Sequence, residues 1–209
     1  MSQLCRNNVY GDNMAGNGNS VNIGGERGAY HHGDLRNALV AAGLELLAHA
    51  DSDDLSLREV ARNVGVSATS VYRHFPEKKA FLEALCAEGS QMLAVAQRKA
   101  MSEAGGGQKG FDASGLAYVR FALDNATLFR LMSRAGSSGA SYGGDDSPAM
   151  QELLANVATL MPKGATARQK KIRALHAWSV ARGIAMLILE GQMQDDDQLI
   201  MSVIRTPTT

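Results

Sequence analysis

A chain of 209 residues is long enough for one sizeable core, or for a small domain docked on a larger one. Its 21 basic and 21 acidic side chains cancel, so any attraction for a polyanion has to come from a local patch. Cys5 and Cys86 are the only cysteines and lack CxxC or Cys/His spacing, which argues against a disulfide framework and a structural zinc site.

In chain order, residues 1–29 hold six Gly and six Asn with few large apolar groups. They can bury too little surface to offset the entropy of ordering, so a disordered leader is expected. Arg6 and Arg27 alone are available for a basic arm, and no basic-then-apolar signal segment is present. The longest fully apolar run, Ile184 to Leu189, is far too short to span a bilayer, so a cytoplasmic chain without a membrane partner is expected. A first helix is predicted from about Asp34 to His49, with Leu35, Leu39, Ala42 and Leu46 along one face and Asp51-Ser52-Asp53-Asp54 as the stop. Ser56 should cap the next helix, with Glu59 completing a capping box.

The most informative stretch runs from Leu57 to Phe75. Val60 and Val64 share a helix face, and Ala61 is small where a second helix must cross closely. Gly65 can adopt the left-handed conformation that ends a helix. Ser67 is placed to cap a second helix, whose Val71 turns inward together with Phe75. Ala68, Thr69, Ser70, Tyr72 and Arg73 are then left to face outward, as in a helix-turn-helix whose second helix enters the major groove. Pro76 and Glu77 open a further helix with Lys78 and Lys79 in its first turn, where a phosphate could bind. If DNA is bound, the local patch that attracts it would be Arg58, Arg62, Arg73, Lys78 and Lys79. Arg58 could reach a guanine edge, Thr69 and Ser70 could touch bases, and Tyr72, His74 and Lys78 suit phosphates. The alternative for Tyr72 and His74 is a half-buried aromatic capping the hairpin, and for Arg58 a solvated charge.

Tyr30-His31-His32-Gly33-Asp34-Leu35-Arg36, Leu55-Ser56-Leu57-Arg58-Glu59-Val60-Ala61, Gly65-Val66-Ser67 and Val71-Tyr72-Arg73-His74-Phe75 resemble the N-terminal domain of the TetR family of bacterial transcriptional regulators. The resemblance covers about residues 30–85. It implies a three-helix DNA-binding domain over 30–80 and an effector-binding and dimerisation domain over 81–205, with a double-stranded DNA operator, a small-molecule effector and a homodimer. A second resemblance lies in Trp178-Ser179-Val180-Ala181-Arg182-Gly183, which is similar to the Trp-His-Gly signature of one C-terminal subclass, with Arg182 in the histidine's place.

Downstream, a long helix is predicted from Glu77 to about Met101, broken by Gly105-Gly106-Gly107. Helices follow at about 112–123, 125–134, 148–161, 167–192 and 196–204, with Gly136 to Ser147 a loose loop. The fold class is therefore all-α, with about nine helices. The 167–192 helix is basic at its start and apolar on every side from Ile184 to Leu189, so it should be buried on two faces, one of them against a second copy. Tyr118, Phe121, Phe129, Met132, His176, Trp178 and Arg182 could line an effector pocket, ordinary core packing being the alternative. Arg182 needs a partner within an apolar helix, either an effector carboxylate or Glu152 or Glu190.

No Gly-rich phosphate loop, GxSxG elbow or metal-ligand spacing supports an enzyme, and no cofactor is implied. Adjacent His31 and His32 lack a third ligand. The expected role is a sequence-specific regulator, most simply a repressor released by its effector, because a bound dimer needs only to obstruct polymerase. The rival is a TetR-like dimer that binds DNA but acts through a protein partner, as a nucleoid or division factor would.

Overall fold

Leucines and alanines at four–three–four spacing make the first helix amphipathic. In the computed structural model it runs from His32 to Leu47 (α1), burying Leu39, Val40, Ala42 and Leu47. The structure describes residues 32–49, 52–135 and 146–205. The leader 1–29, Tyr30, His31 and most of the loop expected from Gly136 to Ser147 lie outside the described residues.

The helix-turn-helix forms as its local chemistry dictates. Leu57–Val64 (α2) ends at Gly65, whose φ of 76° is left-handed, and its amide donates back to the Arg62 carbonyl. Ala68–His74 (α3) starts at Ser67, whose Oγ accepts the Ser70 N–H at 3.2 Å. The capping box expected at Ser56 does not form. Ser56 Oγ accepts from the Arg58 N–H, while the Glu59 carboxylate turns to Arg62 at 3.7 Å. The box forms instead at Thr166 and Gln169, whose side chains and amides bond reciprocally at 3.2 and 2.8 Å.

A 26-residue helix, Lys78–Glu103 (α4), joins this module to the rest. Near its start, Phe81 and Leu85 are fully buried against α1. A Cβ on Gly43 would lie 2.5 Å from the Phe81 ring, so this crossing requires a glycine. Three left-handed glycines, Gly105, Gly106 and Gly107, then reverse the chain. Because they turn it within three residues, Gly107–Asp124 (α5) begins five residues earlier than expected and packs along α4. Ala126–Ala135 (α6), Pro148–Leu160 (α7), Ala167–Leu189 (α8) and Asp197–Arg205 (α9) complete nine helices, with no strand among the described residues.

The main core is continuous from Leu39 in α1 to Ile200 in α9. A smaller cluster of Phe111, Met150, Leu153, Val157 and Ala174 lies between α5, α7 and α8, and Trp178 packs against both. Each large side chain so buried contributes about 1.5–3 kcal/mol. The α8 helix is not apolar-buried all round. Ile184 and Ala185 face the core, whereas Leu187 is 41% exposed. It is also long and apolar enough, by length and composition, to cross a bilayer, which the six-residue run Ile184–Leu189 did not convey. Its buried residues pack against α5, α7 and α9.

Cys86 sits on the buried side of α4. Burial, and secondarily the Glu83 carboxylate, push its thiol from 9.0 up to about 11. The folded state then keeps a proton that the unfolded chain releases. Its contribution to stability is complete below pH 9.0 and declines as pH rises toward about 11. Chemical denaturation across that window should show the decline in the native chain and a shallower one in Cys86→Ala; equal slopes would contradict it.

Candidate nucleic-acid interface and ligand cavity

Burial of Val71 fixes which side of α3 faces out. Thr69, Tyr72 and Arg73, at i, i+3 and i+4, are exposed on one face, with Tyr72 46% accessible. Ala68 and Ser70 are half-buried at its edge. Ser67 and Ser70 hydroxyls bond to each other at 2.9 Å, so their first task is to close the α3 N-terminus. Arg58 stands exposed at the start of α2, where its amide completes the Ser56 cap. His74, at the end of α3, is half-buried.

Lys78, expected to face a phosphate, donates from Nζ to the Asp53 carbonyl at 2.7 Å, tying the start of α4 to the α1–α2 loop. An ammonium has three donors, so this bond leaves capacity for others. The same Asp53 is approached from α6 by Arg134 at 3.7 Å. Arg36, although exposed, lies over the Phe75 ring at 5.2 Å, which brings its cation against the hairpin.

Between α4, α5, α7, α8 and α9 lies a cavity of about 500 Å³. That volume suits a drug-sized molecule. Of the pocket residues expected from sequence, Tyr118, His176 and Trp178 line it. Trp178 Nε1 donates to the Tyr118 hydroxyl at 3.1 Å, bridging α8 and α5. Phe121, Phe129, Met132 and Arg182 are not in its lining. Phe121, Phe129 and Met132 are core residues, and the Phe129 ring meets Tyr118 edge-on with centroids 5.9 Å apart. Arg182 finds neither of the carboxylates proposed for it. Its Nη1 donates to Ser133 Oγ at 3.1 Å, and its guanidinium lies over the Phe129 and Trp178 rings at 5.7 and 5.9 Å. Glu152 is taken by Arg98 at 2.8 Å. Within the chain, two aromatic faces and a hydroxyl are the partners of this charge.

The walls also contain residues that sequence reasoning passed over: Gln97, Gln108, Asp112, Ser114, Arg173 and Arg205. Gln97 is 4% exposed, and its Oε1 has no hydrogen-bond partner. Asp112 is 6% exposed and accepts from Gln108 Nε2 at 2.6 Å, with Arg205 Nε at 3.4 Å from its other oxygen. A signal for Gln97 existed: it stands four residues beyond Leu93 on the core face of α4, where a polar residue is out of pattern.

Comparison with known proteins agrees with this architecture. Residues 39–85 match the family of bacterial regulatory proteins described as tetR, and residues 111–206 match a tetracyclin repressor-like C-terminal domain. Among solved structures, a protein of unknown function from Rhodococcus sp. RHA1 is 31% identical, with a TM-score of 0.66 over 85% of this chain and 93% of that one. A tetR-family transcriptional regulator from Streptomyces coelicolor is 23% identical, with a TM-score of 0.60 over 81% of this chain and 78% of the other. RolR, solved with resorcinol, shares 17% identity and a TM-score of 0.55 over 83% of this chain and 87% of its own.

Proposed function

The chain belongs to the TetR family of DNA-binding transcriptional regulators, which are not enzymes, and on that premise we propose that it is a cytoplasmic repressor released from its operator by a small molecule. The division of labour proposed is DNA binding by residues 30–80 and effector binding and dimerisation by 81–205. Thr69 reads bases from the exposed face of α3 with Ala68 and Ser70 beside it, while Tyr72, Arg73, His74 and Lys78 hold the phosphate backbone and Arg58 reaches in from α2. Within the family, the Trp178–Gly183 segment supports the Trp-His-Gly subclass. Arg182 at the histidine position is stacked on Trp178, so the position serves packing here.

The observation that carries this reading is that one helix serves both ends. Gln97 of α4 lines the cavity, while Phe81 and Leu85 of the same helix seat the helix-turn-helix. At 1.5 Å rise per residue, the sixteen residue steps from Phe81 to Gln97 span about 24 Å of rigid helix. A ligand that favours a tilted α4 displaces the recognition helix and weakens DNA binding. By linkage, DNA weakens ligand binding by the same factor.

A second copy is the proposed cover for the apolar groups left on α8 and α9. Leu199 and Val203, one turn apart on α9, are 44% and 39% exposed, and Leu187 of α8 is similarly open. A two-fold dimer presents two α3 helices to half-sites one DNA turn or more apart. RolR was solved with resorcinol, and a small-molecule effector for this chain is proposed in keeping with that precedent.

Fluorescence anisotropy of the purified chain on its own upstream intergenic DNA, with unrelated competitor and several salt concentrations, tests the reading. Nanomolar binding that survives competitor is expected. Thr69→Ala should lose about 1–3 kcal/mol of discrimination at one base pair, and Arg73→Ala should weaken all sequences alike. Salt-labile binding, equal on both DNAs, would rule out an operator-specific role.

A further inference from the structure

Three buried residues of the cavity wall, Gln97, Asp112 and Ser114, carry more acceptor capacity than the donors that reach them. The Trp178 N–H is spent on the Tyr118 hydroxyl, the Gln108 amide on Asp112, and the Ser114 hydroxyl on the Phe111 carbonyl at 2.8 Å. The acceptors are not matched. Gln97 Oε1 has no partner, the Ser114 oxygen keeps its lone pairs, and the Asp112 carboxylate has more acceptor sites than the donors that reach it. All three residues are at least nine-tenths buried, so their oxygens cannot be satisfied by bulk solvent.

The charges narrow the choice further. The lining holds one carboxylate, Asp112, and two guanidiniums, Arg173 and Arg205, so an ammonium would meet net positive charge. An anion would meet the buried oxygens at the inner wall. Arg205, 59% exposed beside Asp112, and half-buried Arg173, over the Phe111 ring at 5.6 Å, keep N–H donors. An anion held by these partly solvated cations, however, is screened by water and leaves the buried oxygens unpaired. The remaining lining is apolar or aromatic, with Phe111, Met150, Leu153 and Trp178.

We infer that the cavity takes a largely apolar, uncharged molecule that donates a hydroxyl hydrogen bond to the acceptor wall of Gln97, Asp112 and Ser114. This rests on reading the cavity as the effector site. A ligand without the donor leaves those oxygens buried and unpaired, which is where its affinity is lost.

The test is isothermal titration of the full chain with three probes on one ring system: 2-naphthol, 2-methoxynaphthalene and 2-naphthoate. Naphthol is expected to bind about tenfold or more tighter than the ether, in which a methyl replaces the donor hydrogen, and tighter than the carboxylate. In Gln97→Leu, which removes one of the acceptors at similar size, that preference should shrink while the ether binds no worse. Thermal melting of ligand-free Gln97→Leu should show no loss of stability, because an unpaired buried oxygen is removed. Equal binding of ether and naphthol, a preference for naphthoate, or a naphthol preference unchanged in Gln97→Leu would overturn the donor rule and leave the effector site standing. No binding of any probe at millimolar concentration would remove the effector-site reading itself, and the inference with it.

Discussion

Phe81→Ala is expected to destabilise the chain by about 3–5 kcal/mol, measured by urea denaturation, and to take most of its DNA binding with it. The ring is fully buried, meets Phe75 edge-to-face with centroids 4.9 Å apart, and fills the space that Gly43 leaves on α1. Removing it vacates the point where α1, the end of α3 and the start of α4 converge, so the recognition helix loses its seat as well as its packing. Gly43→Ala approaches the same contact from the other side, since its new methyl would stand 2.5 Å from Phe81 Cζ. Overpacking of this kind costs about 1–3 kcal/mol. The two changes should not be additive. With the ring gone the methyl still meets Leu85 Cδ2 at 2.9 Å, so Gly43→Ala should cost less in the Phe81→Ala background than in the native chain without becoming free. A loss under about 1 kcal/mol for Phe81→Ala, far below the usual cost of deleting a buried Phe, would show that α4 is not seated through this ring.

The second large effect is functional. Ala177→Phe introduces a ring at a wall position on α8 between His176 and Trp178. Ala177 is half-buried, so part of the added bulk can lean into the cavity without forcing the backbone. Binding of 2-naphthol, or of whatever compound the native cavity accepts, should fall by about 100-fold or more, which corresponds to roughly 2.7 kcal/mol or more. Operator affinity should change by less than about threefold, because α3 and its seat on α4 are untouched. The variant would therefore occupy DNA and ignore effector. Loss of both activities together would mean that overpacking at α8 reaches the DNA module through α4 and α5. Retention of both would place the effector elsewhere.

Local chemistry carried most of the helix assignments. Gly65, Ser67, Val71 and Phe75 behave in the structure as their types and spacing require, because a left-handed cap, an N-cap and an i, i+4 pair involve residues within a few positions of one another. The misplaced start of α5 and the absent Ser56–Glu59 box are failures of a different kind. In the first, three consecutive glycines turned the chain faster than composition suggested. In the second, Glu59 had a competing partner in Arg62 on the same helix face, and both side chains are exposed enough to choose it.

The cavity divided along the same line. Tyr118, His176 and Trp178 could be nominated from the sequence as large groups on C-terminal helices, but so could Phe121, Phe129 and Met132, and nothing in their spacing separates wall from core. Arg182 was singled out as a charge in need of a partner. Its partner proved to be a hydroxyl forty-nine positions earlier and two aromatic faces. Composition, periodicity and caps, read along the chain, determined an all-α protein with a helix-turn-helix near its start and a long connecting helix after it. Which polar groups share a cavity, which donors are already spent and which apolar faces stay open were decided only when α4, α5, α7, α8 and α9 packed. Those relations join residues as distant as Gln97 and Arg205, and no local rule of backbone geometry couples positions so far apart.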